Sequence, residues 1–194
     1  MQRGRPREFD PDQALDRALE VFWRKGYEGA SVSELTEAMG INRPSLYAAF
    51  GNKEALFRKA LDRYAKGPAA YTYEALEAPT ARAVVQQLLN SAADALTDPN
   101  NPHGCLGVRG ALSCGDAASI QEEVWARRSA WQEALRRRLE CAQREGDLPA
   151  DANCADLVQY VAAVAQGMAV QAAGGATRKQ LRKVAGLALQ AWPV

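Results

Sequence analysis

The sequence is poor in the residues that build metal and cofactor sites. Its 194 residues contain a single histidine, His103, and four cysteines, none of which forms a Cys-x-x-Cys pair. Zinc sites draw their ligands from clustered cysteines and histidines, so we expect no metal ion. Phosphate-binding glycine loops and nucleophile elbows are also missing from the sequence. We therefore expect the protein to bind no cofactor and to have no enzymatic activity.

Long apolar runs are missing as well. The most apolar stretch, residues 161–173, is too short to cross a bilayer and contains Gln166 and Gln171. The chain starts with polar and basic residues and shows no apolar signal segment. These features predict a cytoplasmic protein with reduced thiols and no membrane partner.

Neither sign of charge dominates the chain as a whole, since the formal net charge is +1 at pH 7. Positive charge is instead concentrated near the beginning. Residues 40–66 include six basic and two acidic side chains, and Arg3, Arg5 and Arg7 come before them. Nucleic-acid binding needs a local basic surface of this kind and does not require a strongly basic chain.

Alternating runs of β-branched residues, which would indicate strands, are absent, and apolar residues recur at helical spacing. The sequence therefore predicts an all-α fold of about nine helices separated by glycine and proline. The first helix begins at Pro11 after the N-cap Asp10 and ends near Gly26. The others are expected at 31–40, 43–50, 53–66, 80–97, 103–114, 116–144, 151–173 and 177–192.

Gly67-Pro68 interrupts the helical pattern, and we place a domain boundary there, between domains at 1–66 and 67–194. The last two helices of the second domain are rich in apolar residues on more than one face, which is typical of helices buried on two sides. Small residues along them permit close approach of a neighbouring helix. We expect these two helices to pair with their symmetry mates as a four-helix interface in a homodimer.

The segment from Val32 to Phe50 has the pattern of a helix-turn-helix. Gly40 lies between two short helices, at a turn that needs a positive φ. The positions expected to face inward are apolar, namely Leu35, Met39, Ile41, Leu46 and Phe50. The second helix then presents its polar face outward, where it fits the major groove of DNA. The structural alternative is a three-helix bundle that binds nothing.

The side chains around this helix suit distinct DNA contacts. Arg43 fits a guanine edge or a phosphate, and hydroxyl groups suit phosphate oxygens. Helix N-termini add backbone N–H groups that favour an anion, and an arginine arm fits the minor groove. The candidate DNA contacts are Arg3, Arg5, Arg7, Ser31, Ser33, Arg43, Pro44, Ser45, Tyr47 and Lys53. The alternatives are a solvated tail for the arm, surface packing for Tyr47 and a helix-face cation for Lys53.

Over about residues 3–66 the sequence resembles the TetR family of one-component repressors. The resemblance rests on Gly26-Tyr27, Ser31-Val32, Met39-Gly40-Ile41, Ser45-Leu46-Tyr47, Phe50, Lys53 and Leu56-Phe57. The chain departs from the family pattern at Thr36, where alanine is common, and at Ala49, where histidine is common. The resemblance implies a dimer on an inverted-repeat operator, with recognition helices ~34–36 Å apart. It also implies that each chain has an N-terminal DNA-binding head and a C-terminal body. An effector bound to the body changes the distance between the two heads of the dimer and so releases the DNA.

The effector itself is not named by the sequence, but five residues are candidates for its pocket: Cys105, Trp125, Arg128, Trp131 and Tyr160. Cys105 stands at a helix start, where a thiol can react with oxidants or electrophiles, or it is a small buried hydrophobe. Arg128 interrupts an apolar stripe, either to bind an anionic ligand or to reach solvent. Two alternatives to a ligand-released repressor stay open: a redox- or electrophile-sensing repressor acting through Cys105, and a constitutive DNA-binding protein without an effector.

Overall fold

The structure is a computed structural model that describes residues 9–112 and 117–193. Within these two ranges the chain forms ten α-helices, one short 3-10 turn and no strand, which confirms the all-α prediction. The helices are α1 Pro11–Gly29, α2 Val32–Met39, α3 Arg43–Phe50, α4 Lys53–Lys66, α5 Tyr71–Glu74, α6 Ala81–Ala95, α7 Leu106–Leu112, α8 Ala118–Arg144, α9 Cys154–Ala173 and α10 Arg178–Gln190.

One helix more is present than the sequence indicated. Helix α5 lies in the segment after Gly67 where only chain breaks were expected, and it continues into a 3-10 turn at Ala75–Glu77. Ala75 and Ala78 are buried, so this segment packs on the core and does not form an exposed linker. A helix of four residues is too short to show a 3.6-residue period, which is why the sequence pattern missed it.

Side-chain caps fix where the first four helices begin. The caps are Asp10, Ser31, Asn42 and Asn52, and each accepts a hydrogen bond from a backbone N–H in the first turn of its helix. The sequence predicts that the first helix ends near Gly26; Gly26 does interrupt the helical backbone, with φ 72° and ψ 179°, but the helix resumes and extends to Gly29. Gly40 ends α2 with φ 68°, as the turn requires.

An aromatic cluster holds α1 and α4 together beneath the helix-turn-helix. The Phe22 and Phe57 rings meet edge to face with centroids 4.9 Å apart, and Trp23 and Tyr64 do so at 4.7 Å. The inward residues predicted for α2 and α3 pack against this cluster: Leu35, Met39, Leu46 and Phe50 are buried, and Ile41 is partly buried. This core positions α3 on the surface of the N-terminal head.

A second core fills the C-terminal body. It is formed by the inner faces of α6, α8, α9 and α10, and its fully buried members include Val84, Val85, Leu89, Leu135, Leu139, Val161 and Ala185. None of the helices in the described parts of the chain is long and apolar enough to cross a membrane.

The segment that leads into α7 joins the head to the body. The Trp23 indole Nε1 donates a buried hydrogen bond of 3.0 Å to the Gly104 carbonyl, and Leu106 is completely buried in the head core. Gly104 itself has φ +90° and lies against α9. A Cβ atom there would stand 3.0 Å from the Ala173 Cβ and 3.2 Å from the Ala169 carbonyl oxygen. The head, the Gly104 turn and α9 are therefore packed without spare room.

We predict that Gly104→Ala destabilises the protein. The substitution places an alanine in a left-handed backbone conformation and brings its Cβ into close contact with α9. Gly175→Ala is the matched control, because Gly175 has φ +95° but no atom within 4 Å of its added Cβ. Chemical denaturation should show Gly104→Ala to be less stable than the control by roughly 1–3 kcal/mol, the usual effect of overpacking. Equal losses in the two variants would contradict the tight packing at Gly104.

Candidate nucleic-acid interface and cavity

The N-terminus of α2 is held by a reciprocal capping box. The Ser31 hydroxyl accepts from the Glu34 backbone N–H at 3.2 Å, and the Glu34 carboxylate accepts from the Ser31 backbone N–H and hydroxyl at 2.9 Å each. Lys25 of α1 forms an ion pair with the same carboxylate. The Ser31 hydroxyl thus already serves the helix, and its contact with DNA stays a prediction.

The beginnings of α2 and α3 share one exposed surface. The Arg43 guanidinium donates a hydrogen bond of 2.7 Å to the Ser33 hydroxyl, which joins the first turns of the two helices. Pro44 is exposed, and Ser45 is half-buried with its backbone N–H bound to the Asn42 cap at 2.8 Å. The structure therefore brings the predicted polar contacts of α2 and α3 together on one side of the head.

Further along α3, the outward and inward faces separate cleanly. Leu46 and Phe50 are buried, whereas the Tyr47 side chain is 50 % exposed and Ala48 beside it is exposed. Among the described residues the Tyr47 hydroxyl has no hydrogen-bond partner, so it is available to an external acceptor. A helix anchored on one side and polar on the other is the form that enters a major groove.

Lys53 begins α4 and lies over an aromatic ring. Its ammonium is 4.3 Å from the centre of the Tyr27 ring, a cation–π contact that fixes the position of the charge. Partial burial lowers the pKa of Lys53 from its ordinary 10.5, and the Glu28 carboxylate partly offsets this shift. Arg3, Arg5 and Arg7, the predicted arm, lie outside the described residues.

A cavity of about 490 Å³ lies between the head and the body, beside α4, α5, α7, α8 and α9. Three of the residues predicted for an effector pocket line it: Cys105, Arg128 and Trp131. The structure places the other two elsewhere. Trp125 is 51 % exposed and carries the Arg128 guanidinium 5.1 Å from its ring centre. The Tyr160 hydroxyl donates to the Ala188 carbonyl at 3.1 Å, in the contact between α9 and α10.

Several cavity residues were not identified from the sequence. Tyr71 comes from the unexpected helix α5, and Gln166 was noted only as a polar residue within an apolar stretch. Asp62 and Arg127 also line the cavity. Each has an opposite charge four residues earlier in its own helix, a spacing that by itself indicates only a solvated helix face. What places these residues together is the packing of four separate helices, which no local sequence pattern records.

The phenols of Tyr64 and Tyr71 line the cavity together with its charged side chains. Burial raises the pKa of Tyr64 well above its ordinary 10.0, and the neighbouring Cys105 thiol raises it further. Burial likewise raises the pKa of Tyr71. Both phenols therefore stay protonated and can donate hydrogen bonds at neutral pH. Within residues 9–112 and 117–193, no three His, Cys, Asp or Glu side chains come close enough together to hold a metal ion.

Comparison with known proteins identifies the family to which this chain belongs. The model for "Bacterial regulatory proteins, tetR family" matches residues 14–60, and that for "Tetracyclin repressor-like, C-terminal domain" matches residues 80–185. The chain belongs to the TetR family of transcriptional regulators. The resemblance noted over the first third of the sequence is thereby confirmed, and it extends through the body.

Individual TetR-family relatives match over nearly the whole chain. The transcriptional repressor ComR of Escherichia coli K12 is 34 % identical over 98 % of this chain and 92 % of its own. The repressor BdcR of the same organism is 31 % identical over 97 % and 91 %. A cysteine mutant of the regulator CifR, solved with a 26-bp double-strand operator DNA, has 43 % identity and a TM-score of 0.93, covering 97 % of this chain and all of that one. The DNA in that structure is the partner of CifR, a TetR-family regulator.

We predict that Glu34 gives the head a defined acid sensitivity. The hydrogen bond from Lys25, followed by those from Ser31, lowers the pKa of Glu34 from 4.5 to about 2. Because the folded pKa is the lower one, the stabilisation is complete above pH 4.5 and is lost as the pH falls toward 2. Thermal unfolding of the wild type and Glu34→Gln should therefore differ above pH 4.5 and converge below it. A difference that persists unchanged at pH 2 would contradict this assignment.

Proposed function

We propose that the protein is a repressor that binds an inverted-repeat operator as a homodimer and leaves it when a small molecule occupies the cavity. The observation that carries the proposal is the surface of α3, where Arg43 and Tyr47 are exposed above the buried Leu46 and Phe50. The division into domains at 1–66 and 67–194 is part of the same proposal. We also infer that the protein acts by binding alone, without enzymatic activity, in the cytoplasm.

The DNA contacts follow from the geometry of the head. Arg43 lies where the first turn of a recognition helix reaches base edges, and Tyr47 and Ser45 follow on the same helix. Lys53, Ser31 and Ser33 are at helix starts and suit phosphate oxygens. Pro44 presents an apolar exposed surface beside them, and the arm of Arg3, Arg5 and Arg7 would follow the backbone or the minor groove.

The homodimer interface is proposed for α9 and α10. Three large apolar side chains on these helices are exposed in the single chain: Val170 is 52 %, Val184 40 % and Leu187 64 % exposed. Paired across a two-fold axis, they would be buried in a four-helix interface. That interface would set the distance between the two α3 helices at about one DNA turn, ~34–36 Å.

We predict that Arg43→Ala and Tyr47→Phe each weaken operator binding without unfolding the protein. Loss of a base or phosphate contact corresponds to roughly a fivefold to hundredfold loss of affinity for Arg43, and about fivefold for Tyr47. The operator is first obtained by sequencing DNA fragments that the purified protein selects, and affinities are then measured by fluorescence anisotropy.

Arg137→Ala is the control for these variants, because Arg137 is a highly exposed arginine on α8, far along the chain from the head. Operator affinity of the wild type should also fall steeply with salt, since phosphate contacts release counterions. Normal affinity in both head variants, or a flat salt titration, would show that α3 does not read DNA.

The cavity fits an effector that is largely apolar and carries one anionic group. Its lining is dominated by aliphatic and aromatic side chains, and Lys66, Arg127 and Arg128 add three cations beside the Asp62 carboxylate. Arg128 makes no ion pair with any carboxylate among the described residues and rests on Trp125. A ligand anion would supply that missing partner, because a guanidinium forms strong charge-assisted hydrogen bonds with an anion.

A second candidate function is favoured by the position of Cys105. Its thiol lines the cavity and neighbours the Tyr64 hydroxyl, so a molecule in the cavity would meet a nucleophile and a hydrogen-bond donor together. In this case the repressor would sense an electrophile or oxidant through a covalent change at Cys105. A constitutive DNA-binding protein with no effector is the remaining alternative.

One gel-shift experiment separates these three cases, using operator DNA with and without extract of the source cells. We expect extract to release the wild type from DNA, and to release Cys105→Ser equally, because a reversible ligand does not need the thiol. Release of the wild type alone, also produced by peroxide or quinones, would instead support covalent sensing. Indifference of both proteins to extract would favour the constitutive alternative.

A further inference from the structure

Five alternating charges connect the helix that supports the DNA-binding head to the longest helix of the body. Arg127 of α8 pairs with Asp62 of α4 at 2.6 Å and with Glu123 at 2.7 Å. Glu123 also lies 3.7 Å from Arg58 of α4, which pairs with Glu54 at 2.6 Å. We refer to Glu54, Arg58, Glu123, Arg127 and Asp62 as the charge ladder.

The ladder follows from helical spacing on both sides. Glu54, Arg58 and Asp62 are four residues apart and lie on one face of α4, and Glu123 and Arg127 are related in the same way on α8. The signs alternate across the two helices, so each charge faces an opposite one. Because α4 begins directly after α3, a shift of α4 relative to α8 would also move the recognition helix.

One end of the ladder belongs to the wall of the cavity. Asp62 and Arg127 both line it, together with Tyr64 of α4 and with Val124 and Trp131 of α8. A molecule in the cavity would therefore touch both helices that the ladder holds together. An anionic group on that molecule would compete with Asp62 for Arg127, which lies beside Arg128 in the chain.

The ladder does not account for much of the protein's stability. Its side chains are between 29 % and 56 % exposed, and ion pairs with that much contact with water contribute little to folding. Their arrangement is nevertheless specific, since two carboxylates are bound by one guanidinium. This combination suits a contact that fixes a relative position and can be exchanged easily for another.

We propose that Arg127 is the positioning residue that couples the cavity to the DNA-binding head. Its bond to Asp62 holds α4 against α8 in the operator-binding arrangement, and an anionic effector releases α4 by taking Arg127 from Asp62. The proposal rests on the proposed function of an effector-released repressor. The chain has a TM-score of 0.93 to a CifR cysteine mutant solved with operator DNA, and the ladder is formed in the structure of this chain.

The test measures operator affinity and amide hydrogen exchange of the free full-length protein for the wild type, Asp62→Asn, Arg127→Gln, the double variant and Arg127→Lys. Arg137→Gln is the matched control, because it removes an arginine of α8 whose partner Glu133 lies on the same helix. Thermal unfolding of each protein monitors overall stability.

We expect Asp62→Asn and Arg127→Gln each to weaken operator binding about three- to tenfold, since Asp62→Asn removes one modest ion pair from each chain and Arg127→Gln removes two. The double variant should bind no more weakly than Arg127→Gln, Arg127→Lys should keep most of the affinity, and Arg137→Gln should match the wild type. In the free protein, amides of α4 should exchange faster in Arg127→Gln while those of α9 and α10 are unchanged.

Two results would overturn the proposal: unchanged operator affinity in both single variants, or losses that multiply in the double variant as for independent sites. Faster exchange spread over the whole chain would also overturn it, by showing a general loss of stability. If the wild type binds no duplex, the proposed function fails. The α4 exchange, which needs no DNA, still decides whether the ladder holds the head.

Discussion

The burial of Leu46 and Phe50 under α3 is the contact on which the rest of the molecule depends. A helix of eight residues is not stable alone in water, so α3 exists only because these side chains pack on the aromatic core of α1 and α4. The same packing decides which face is left outside. DNA binding is thus a property of the core beneath α3 as much as of its exposed residues.

The head and the body are joined by both apolar packing and polar contacts. Trp23 reaches across to the Gly104 carbonyl, and the Gly104 turn has no spare room against α9. Helices α4 and α8 are joined by ion pairs that are accessible to water. Ile120 and Val124 of α8 are also buried in the apolar cluster of the head, so apolar packing joins α8 to the head as well.

Local sequence patterns were sufficient for the head and insufficient for the cavity. The caps, the Gly40 turn and the apolar spacing predicted α1 to α4 almost residue by residue, because each is decided by neighbours in the chain. Trp125 and Tyr160 were predicted as pocket aromatics, although packing turns Trp125 outward and ties Tyr160 to α10. Which side chains line a cavity depends on how distant helices meet.

The bond between Arg43 and Ser33 has a consequence for the thermodynamics of recognition. A free arginine side chain samples many rotamers, and fixing it on a base costs up to about 2 kcal/mol of conformational entropy. Here the guanidinium is already tethered at 2.7 Å and retains other N–H groups for a guanine. In the proposed base contact, part of this ordering would be complete before DNA binds. Preorganisation of this kind favours tight discrimination between bases over tolerance of many sequences.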